Sequence, residues 1–115
     1  MSDLSMTVLP YALNALSLRQ QASANNIANA QTPGYTAQNV SFESNLAQAL
    51  AVGGGTVQAT TSVLPSTAPA ATDGNNVNLT AETVTNQTTS LQYQTLVNAL
   101  EAQYRIMSAS ESTNF

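Results

Sequence analysis

A chain of 115 residues holds one modest domain, and its net charge of −4 with only two basic residues excludes nucleic acid as a partner. Histidine and cysteine are absent, which removes the commonest general bases, nucleophiles and metal ligands, and every disulfide. Only 7% of residues are charged while serine, threonine, asparagine and glutamine supply 49, so solubility rests on neutral polar groups, as suits copies stacked without like-charge repulsion.

Met1 to Leu9 lacks the basic-then-apolar pattern of a secretory leader, so no cleaved signal is expected. No stretch approaches the roughly 18 apolar residues of a membrane span. The first predicted helix runs from about Leu9 or Pro10 to Ala30, with Pro10 in the first turn, where its missing N–H costs nothing. Leu9, Leu13, Leu16, Ile27 and Ala30 form a heptad-like seam, with Gln20 and Ser23 filling its middle. Val8, Tyr11, Ala15, Leu18 and Ala22 lie opposite, so this helix has two apolar faces.

The helix ends in Ser23-Ala-Asn-Asn-Ile-Ala-Asn-Ala-Gln-Thr-Pro-Gly-Tyr35. Pro33 disfavours the helical region for Thr32, and Gly34 suits the positive φ of a type II turn. Asn25, Asn26 and Asn29 are mediocre helix formers, and an ordinary helix stop leaves them unexplained.

An extended link follows, carrying Val40, and Phe42, Leu46 and Leu50 predict a short helix near 42–51. Gly53-Gly54-Gly55 reads as a hinge or spacer. Residues 52–76 are rich in alanine, threonine and proline, with too little apolar surface to offset ordering entropy, and are expected to form a flexible loop. The predicted organisation is therefore 1–51, a loop over 52–76, and 77–115, both ends contributing to one assembly domain.

Asp73-Gly-Asn-Asn76 is a turn signal, after which Asn78 or Thr80 caps the last helix and Glu82 complements its dipole. This helix is predicted to run to Ser108 or Ser110, roughly 45 Å at about 1.5 Å per residue. One stripe holds Tyr93, Val97, Leu100, Tyr104 and Met107, with Leu96 alongside. The opposite side gathers Val84, Leu91, Ala99, Ala102, Ile106 and Ala109. A polar line of Gln87, Ser90, Gln94, Asn98, Glu101, Arg105 and Ser108 runs between. A hairpin helix needs one apolar face. The fold class is thus all-α, two long terminal helices paired as a coiled-coil-like hairpin with a short middle helix. Folding the ten-residue helix back gives a three-helix monomer, but it is too short to cover a 30-residue stripe. Burial against neighbouring copies is the expected solution.

Catalysis has no footing in these residues. The six acids are scattered, the serines lack a base, and Glu101 with Arg105 reads as a surface ion pair. No enzyme activity, cofactor or metal is expected.

The segment Ala22 to Tyr35 closely resembles the N-terminal signature of flagellar axial proteins, the rod, hook and hook-associated group. Asp73-Gly-Asn-Asn-Val-Asn-Leu79 and Leu91-Gln-Tyr-Gln-Thr-Leu96 are similar to the corresponding stretches of proximal rod proteins. The C-type rod proteins share the first signature and are the nearest alternative; a cytoplasmic helical-hairpin chaperone or regulator is the rival from another class. The resemblance implies a structural subunit exported through the flagellar type III pathway into the periplasmic rod, its terminal helices forming a coiled-coil layer around an export channel. Implied partners are copies of itself, the C-type rod protein, the ring-anchoring adaptor at the rod base and the export apparatus. Expected assembly contacts are Leu13, Leu16, Leu18 and Ile27 on the first helix and Leu91, Tyr93, Val97, Leu100, Tyr104, Ile106 and Met107 on the last. Asn25, Asn26 and Asn29 are expected to hydrogen-bond across subunits, beside the Pro33-Gly34-Tyr35 turn. Gln87, Gln94, Asn98 and Ser108 are expected to face the channel or an adjacent strand.

Overall fold

The computed structural model describes residues 3–52 and 61–113. Its elements are α1 (Asp3–Ala28), β1 (Gln38–Ser41), α2 (Glu43–Val52), β2 (Ser62–Pro65) and α3 (Leu79–Thr113). The triglycine at 53–55, expected as a hinge or spacer, lies outside the described residues.

Helix dominates, but the chain is not all-α. β1 and β2 pair antiparallel, with Val40 opposite Val63 and Asn39 opposite Leu64. β2 falls within the stretch expected to be a loop, and residues 66–76 continue from it through bends and turns to α3. Its pairing is carried by backbone hydrogen bonds to a strand some 24 residues away, which apolar patterning within the segment does not register.

The first helix starts earlier than Leu9, so Pro10 lies inside it rather than in its first turn. Proline removes only its own N–H bond to the fourth residue back, and the helix continues on both sides of that single gap. α1 also ends two residues before Ala30. Beyond Ala28 the pattern tightens, with the Ala30 N–H on Ile27 and the Thr32 N–H on Asn29. At the start of α3, the Asn78 side chain accepts from the Ala81 N–H at 3.1 Å, so Asn78 is the cap and Thr80 is not.

α1 and α3 pack antiparallel. The Ser23 hydroxyl donates to the Glu82 carbonyl at 3.0 Å, the Gln20 amide to Asn86 at 3.3 Å, and Leu96 reaches the core beside Ala12 and Leu16. The buried row on α1 is Ala12, Leu16, Ser23 and Asn26, with Ala15 and Ala22 beside it. That row shares Leu16 and Ser23 with the predicted seam but is rotated, leaving Leu9, Leu13 and Ile27 half-buried. The rotation follows from a third neighbour: β1 and Phe42 press on α1 as well as α3 does.

The core is thin. Ala12, Ala15, Leu16 and Phe42 form it, flanked by Tyr11, Leu46 and Leu96, with the Tyr11 ring edge-on to Phe42 at 6.2 Å. From α2, Leu46 joins this cluster, and Leu50 is exposed. The radius of gyration is 18.0 Å and the extents are 68 × 27 × 13 Å. A compact chain of this length would measure about 13 Å, so the molecule is markedly elongated.

Candidate assembly interface

The two conspicuous sequence signatures turn out to be one physical unit. The Tyr35 N–H returns to the Thr32 carbonyl at 3.3 Å and Gly34 has φ +76°, as a type II turn with Pro33 leading requires. The Asp73–Asn76 turn docks onto it: the Gly34 N–H donates to the Asp73 carbonyl at 2.8 Å and the Asn76 N–H to Tyr35 at 3.3 Å. Asn75 is buried, and its amide donates to the carbonyls of Asn29 and Thr32, both at 2.8 Å. It thereby satisfies acceptors that the end of α1 leaves without helical partners. Asn76 donates to the Ser66 and Ala68 carbonyls and accepts from the Ala37 N–H at 2.7 Å.

The three asparagines of α1 divide their work. Asn26 is 1% exposed; its Oδ1 accepts from the Gln38 N–H and the Tyr35 hydroxyl, and its Nδ2 donates to the Gln38 carbonyl at 2.9 Å. Where a bond across subunits was expected, the Asn26 amide is engaged with Gln38 and Tyr35 of its own chain. It serves β1 as a third strand would, matching both backbone groups of Gln38. Asn29 is half-buried, donating to the Asn25 carbonyl and accepting from Thr32. Only Asn25 keeps its side chain exposed.

Arg19 holds the same strand further along. Its guanidinium donates to both carboxylate oxygens of Glu43, at 2.7 and 2.8 Å, and to the Val40 carbonyl at 2.8 Å. It also lies 4.9 Å from the centre of the Phe42 ring. These bonds hold the Glu43 carboxyl below its ordinary range, burial opposing them only in part. Among the described residues this is the ion pair; Glu101 and Arg105 do not form the one expected, since both stay solvated on an exposed stretch of α3. Sequence reasoning missed Arg19. Its one available signal was rarity, as one of two cations in the chain, and nothing in spacing links it to Glu43.

Outside this clamp the expected contact residues remain largely uncovered. On α3 the exposed large apolar side chains include Val84, Leu91, Tyr93, Tyr104, Ile106 and Met107, with Leu91 at 66% and Ile106 at 62%. Val97 and Leu100 are half-buried, as are Leu13, Leu18, Ile27 and Tyr35, while Leu16 is buried and Pro33 and Gly34 are exposed. Thus the face of Val84, Leu91, Ala99, Ala102 and Ile106 has no cover, and the opposite stripe is covered only through Leu96, Val97 and Leu100. Gln87, Gln94, Asn98 and Ser108 are all exposed. An open groove of about 390 Å³, lined mainly by apolar atoms, runs between Ala12, Leu16 and Phe42 on one side and Leu91, Thr95 and Leu96 on the other. Among the described residues no three acids converge as a metal site, and no helix is long and apolar enough to cross a membrane.

A family model described as flagella basal body rod protein matches residues 7–36, the bulk of α1 and the turn that closes it. The flagellar basal body rod protein FlgB of Escherichia coli (strain K12) is 32% identical over 133 residues, spanning 97% of this chain and 96% of the relative. FlgB of Shigella flexneri matches to the same extent.

Proposed function

Because this chain belongs to the flagellar basal body rod protein family and is FlgB-like, hence a structural subunit of the rod rather than an enzyme, we propose that it polymerises into the proximal, export-channel-bearing part of that shaft and transmits torque along it. Its neighbours on this reading are its own copies, the C-type rod protein, the ring-anchoring adaptor and the export apparatus. It reaches the periplasmic rod through the flagellar type III pathway. In the rod, α1 and α3 continue as a coiled-coil layer whose outer stripes meet adjacent subunits.

One observation carries this reading: α3 exposes Leu91 and Ile106 by more than 60% each, and among the described residues no element covers them. Exposed apolar area of this kind on a chain with few charges marks an interaction surface. The chain has 7% charged residues, and a wall of neutral amides and hydroxyls suits both close-packed copies and passing unfolded cargo.

The test is replacement of the chromosomal copy by Leu91→Glu and Ile106→Glu variants. Both are expected to be exported, yet absent from isolated basal bodies, with motility lost. Normal motility with both variants present in the rod would reject these two positions as subunit contacts, and absence of the tagged wild-type protein from basal bodies would reject the rod reading.

A further inference from the structure

The sequence holds one Asp–Gly pair and no Asn–Gly pair, and the Asp–Gly pair is Asp73-Gly74, inside the turn that docks on Gly34. An aspartate followed by glycine is self-reactive, because no side chain on the glycine screens its amide nitrogen from the neighbouring carboxyl. The Gly74 nitrogen attacks Cγ of the protonated Asp73 acid, expelling water and closing a five-membered succinimide. Water then reopens the ring at either carbonyl. Opening at Cγ restores aspartate; opening at the α-carbonyl leaves isoaspartate, whose main chain runs through Cβ and Cγ. No oxidant, reductant or cofactor enters, and the net change is an isomerisation.

The fold engages each group this reaction needs. The Gly74 N–H donates to the Ala71 carbonyl at 2.9 Å, and Asp73 Oδ1 accepts from the Asn75 N–H at 3.0 Å. The first bond closes a four-residue turn with Asp73 third, and because φ at Asp73 is not positive the turn is of type I. There ψ of the third residue is about 0°, whereas ring closure needs a rotation of roughly 120° to bring the nitrogen level with Cβ. Docking opposes that rotation. Gly74 packs on the Gly34 backbone, the Gly34 N–H holds the Asp73 carbonyl at 2.8 Å, and the Asn75 amide is bonded to Asn29 and Thr32.

We propose that Asp73 is an isomerisation site, closed by the docked turns and open whenever they separate, and that an isomerised chain no longer docks. The carbonyl that receives the Gly34 N–H becomes a pendant carboxylate, and the added main-chain carbon enters where Gly74 already touches Gly34. Time spent unfolded is thereby recorded as a covalent lesion at the joint between the two turns.

The test incubates the full chain at neutral pH in water enriched in heavy oxygen, one atom of which each ring opening adds to residue 73. Mass spectrometry follows the label in the peptide carrying Asp73, and chromatography separates isoaspartate from aspartate. Wild type in concentrated urea should label and isomerise; folded wild type should do so at least roughly tenfold more slowly, in proportion to the rarity of the open state. Asn75→Ala, which frees the turn from the carbonyls of Asn29 and Thr32, should fall between the two when folded and match wild type in urea. If circular dichroism shows Asn75→Ala unfolded, Asn76→Ala takes its place, since it loses only the bonds to Ser66, Ala68 and Ala37. Equal rates for folded and unfolded wild type, or a folded variant as slow as folded wild type, overturn the proposal. The purified isoaspartate form, returned to folding conditions, should exchange the Gly34 amide faster than the aspartate form; full protection there would overturn the loss of docking.

Discussion

Gly74 lies against Gly34 so closely that a Cβ on Gly74 would stand 3.2 Å from the Gly34 Cα. Both glycines have positive φ, +76° and +85° in chain order, but only Gly74 also lacks space. Two substitutions should therefore separate. Gly34→Ala incurs backbone strain alone, about 1 kcal/mol, whereas Gly74→Ala adds a backbone clash and should cost about 3 kcal/mol. Urea unfolding followed by circular dichroism measures both; equal losses would show that the contact tolerates a methyl group.

Asn26→Ala strands the N–H and carbonyl of Gln38 and the hydroxyl of Tyr35 in a buried site, for an expected loss of about 3 kcal/mol. Asn26→Asp keeps the acceptor but turns the other oxygen toward the Gln38 carbonyl, so it should be nearly as harmful. Amide hydrogen exchange at Gln38 gives the direct readout: protection should fall in both variants. Unchanged protection would mean the strand does not depend on this amide.

Asn75→Ala should cost about 1–2 kcal/mol, because the carbonyls of Asn29 and Thr32 each lose one of two donors at the end of α1, keeping only the turn N–H groups of Thr32 and Tyr35. Fraying of residues 26–32 in backbone chemical shifts would report it. A rigid helix end in the variant would assign the cap elsewhere.

Glu43 supplies a pH dependence with a definite sign. Its folded carboxyl titrates below the ordinary 4.5, so its contribution is present above that value and is lost as pH falls through the lower, folded one. The thermal stability of wild type should exceed that of Glu43→Gln by a steady margin at neutral pH, and the two curves should converge in acid. The margin is small, at most about 1 kcal/mol, because more than half of the Glu43 side chain meets solvent. A gap that widens on acidification would contradict the Arg19 pairing.

Local chemistry was legible where it acts locally. The turns at Thr32–Tyr35 and Asp73–Asn76, the cap before α3 and the helix over 43–52 follow from residue types within a few positions of one another. The surplus apolar face of α3 was legible too, since a stripe can be counted against the elements available to cover it. What escaped reading was mutual recognition at long range. Nothing in spacing says that Asp73–Asn76 docks on Pro33–Tyr35, or that Arg19 and Asn26 complete the free edge of β1. The residue types around Asn26 carry no information on what lies across from it, and so its amide was assigned to a neighbouring copy. β2 holds only Val63 and Leu64 amid threonine, serine and proline, and backbone pairing with β1 makes it a strand.

A body 68 Å long and 13 Å through is a plank scarcely deeper than one helix. Bending stiffness grows steeply with depth, so a plank on its own bends readily across its thin direction, whatever its internal bonds. Set edge to edge in a closed wall, such planks behave as the staves of a cask: rigidity then belongs to the hoop, and a twisting load is met as shear along the joints. For this chain the strength of the shaft is consequently written less in its own slender core than on the flanks it leaves bare.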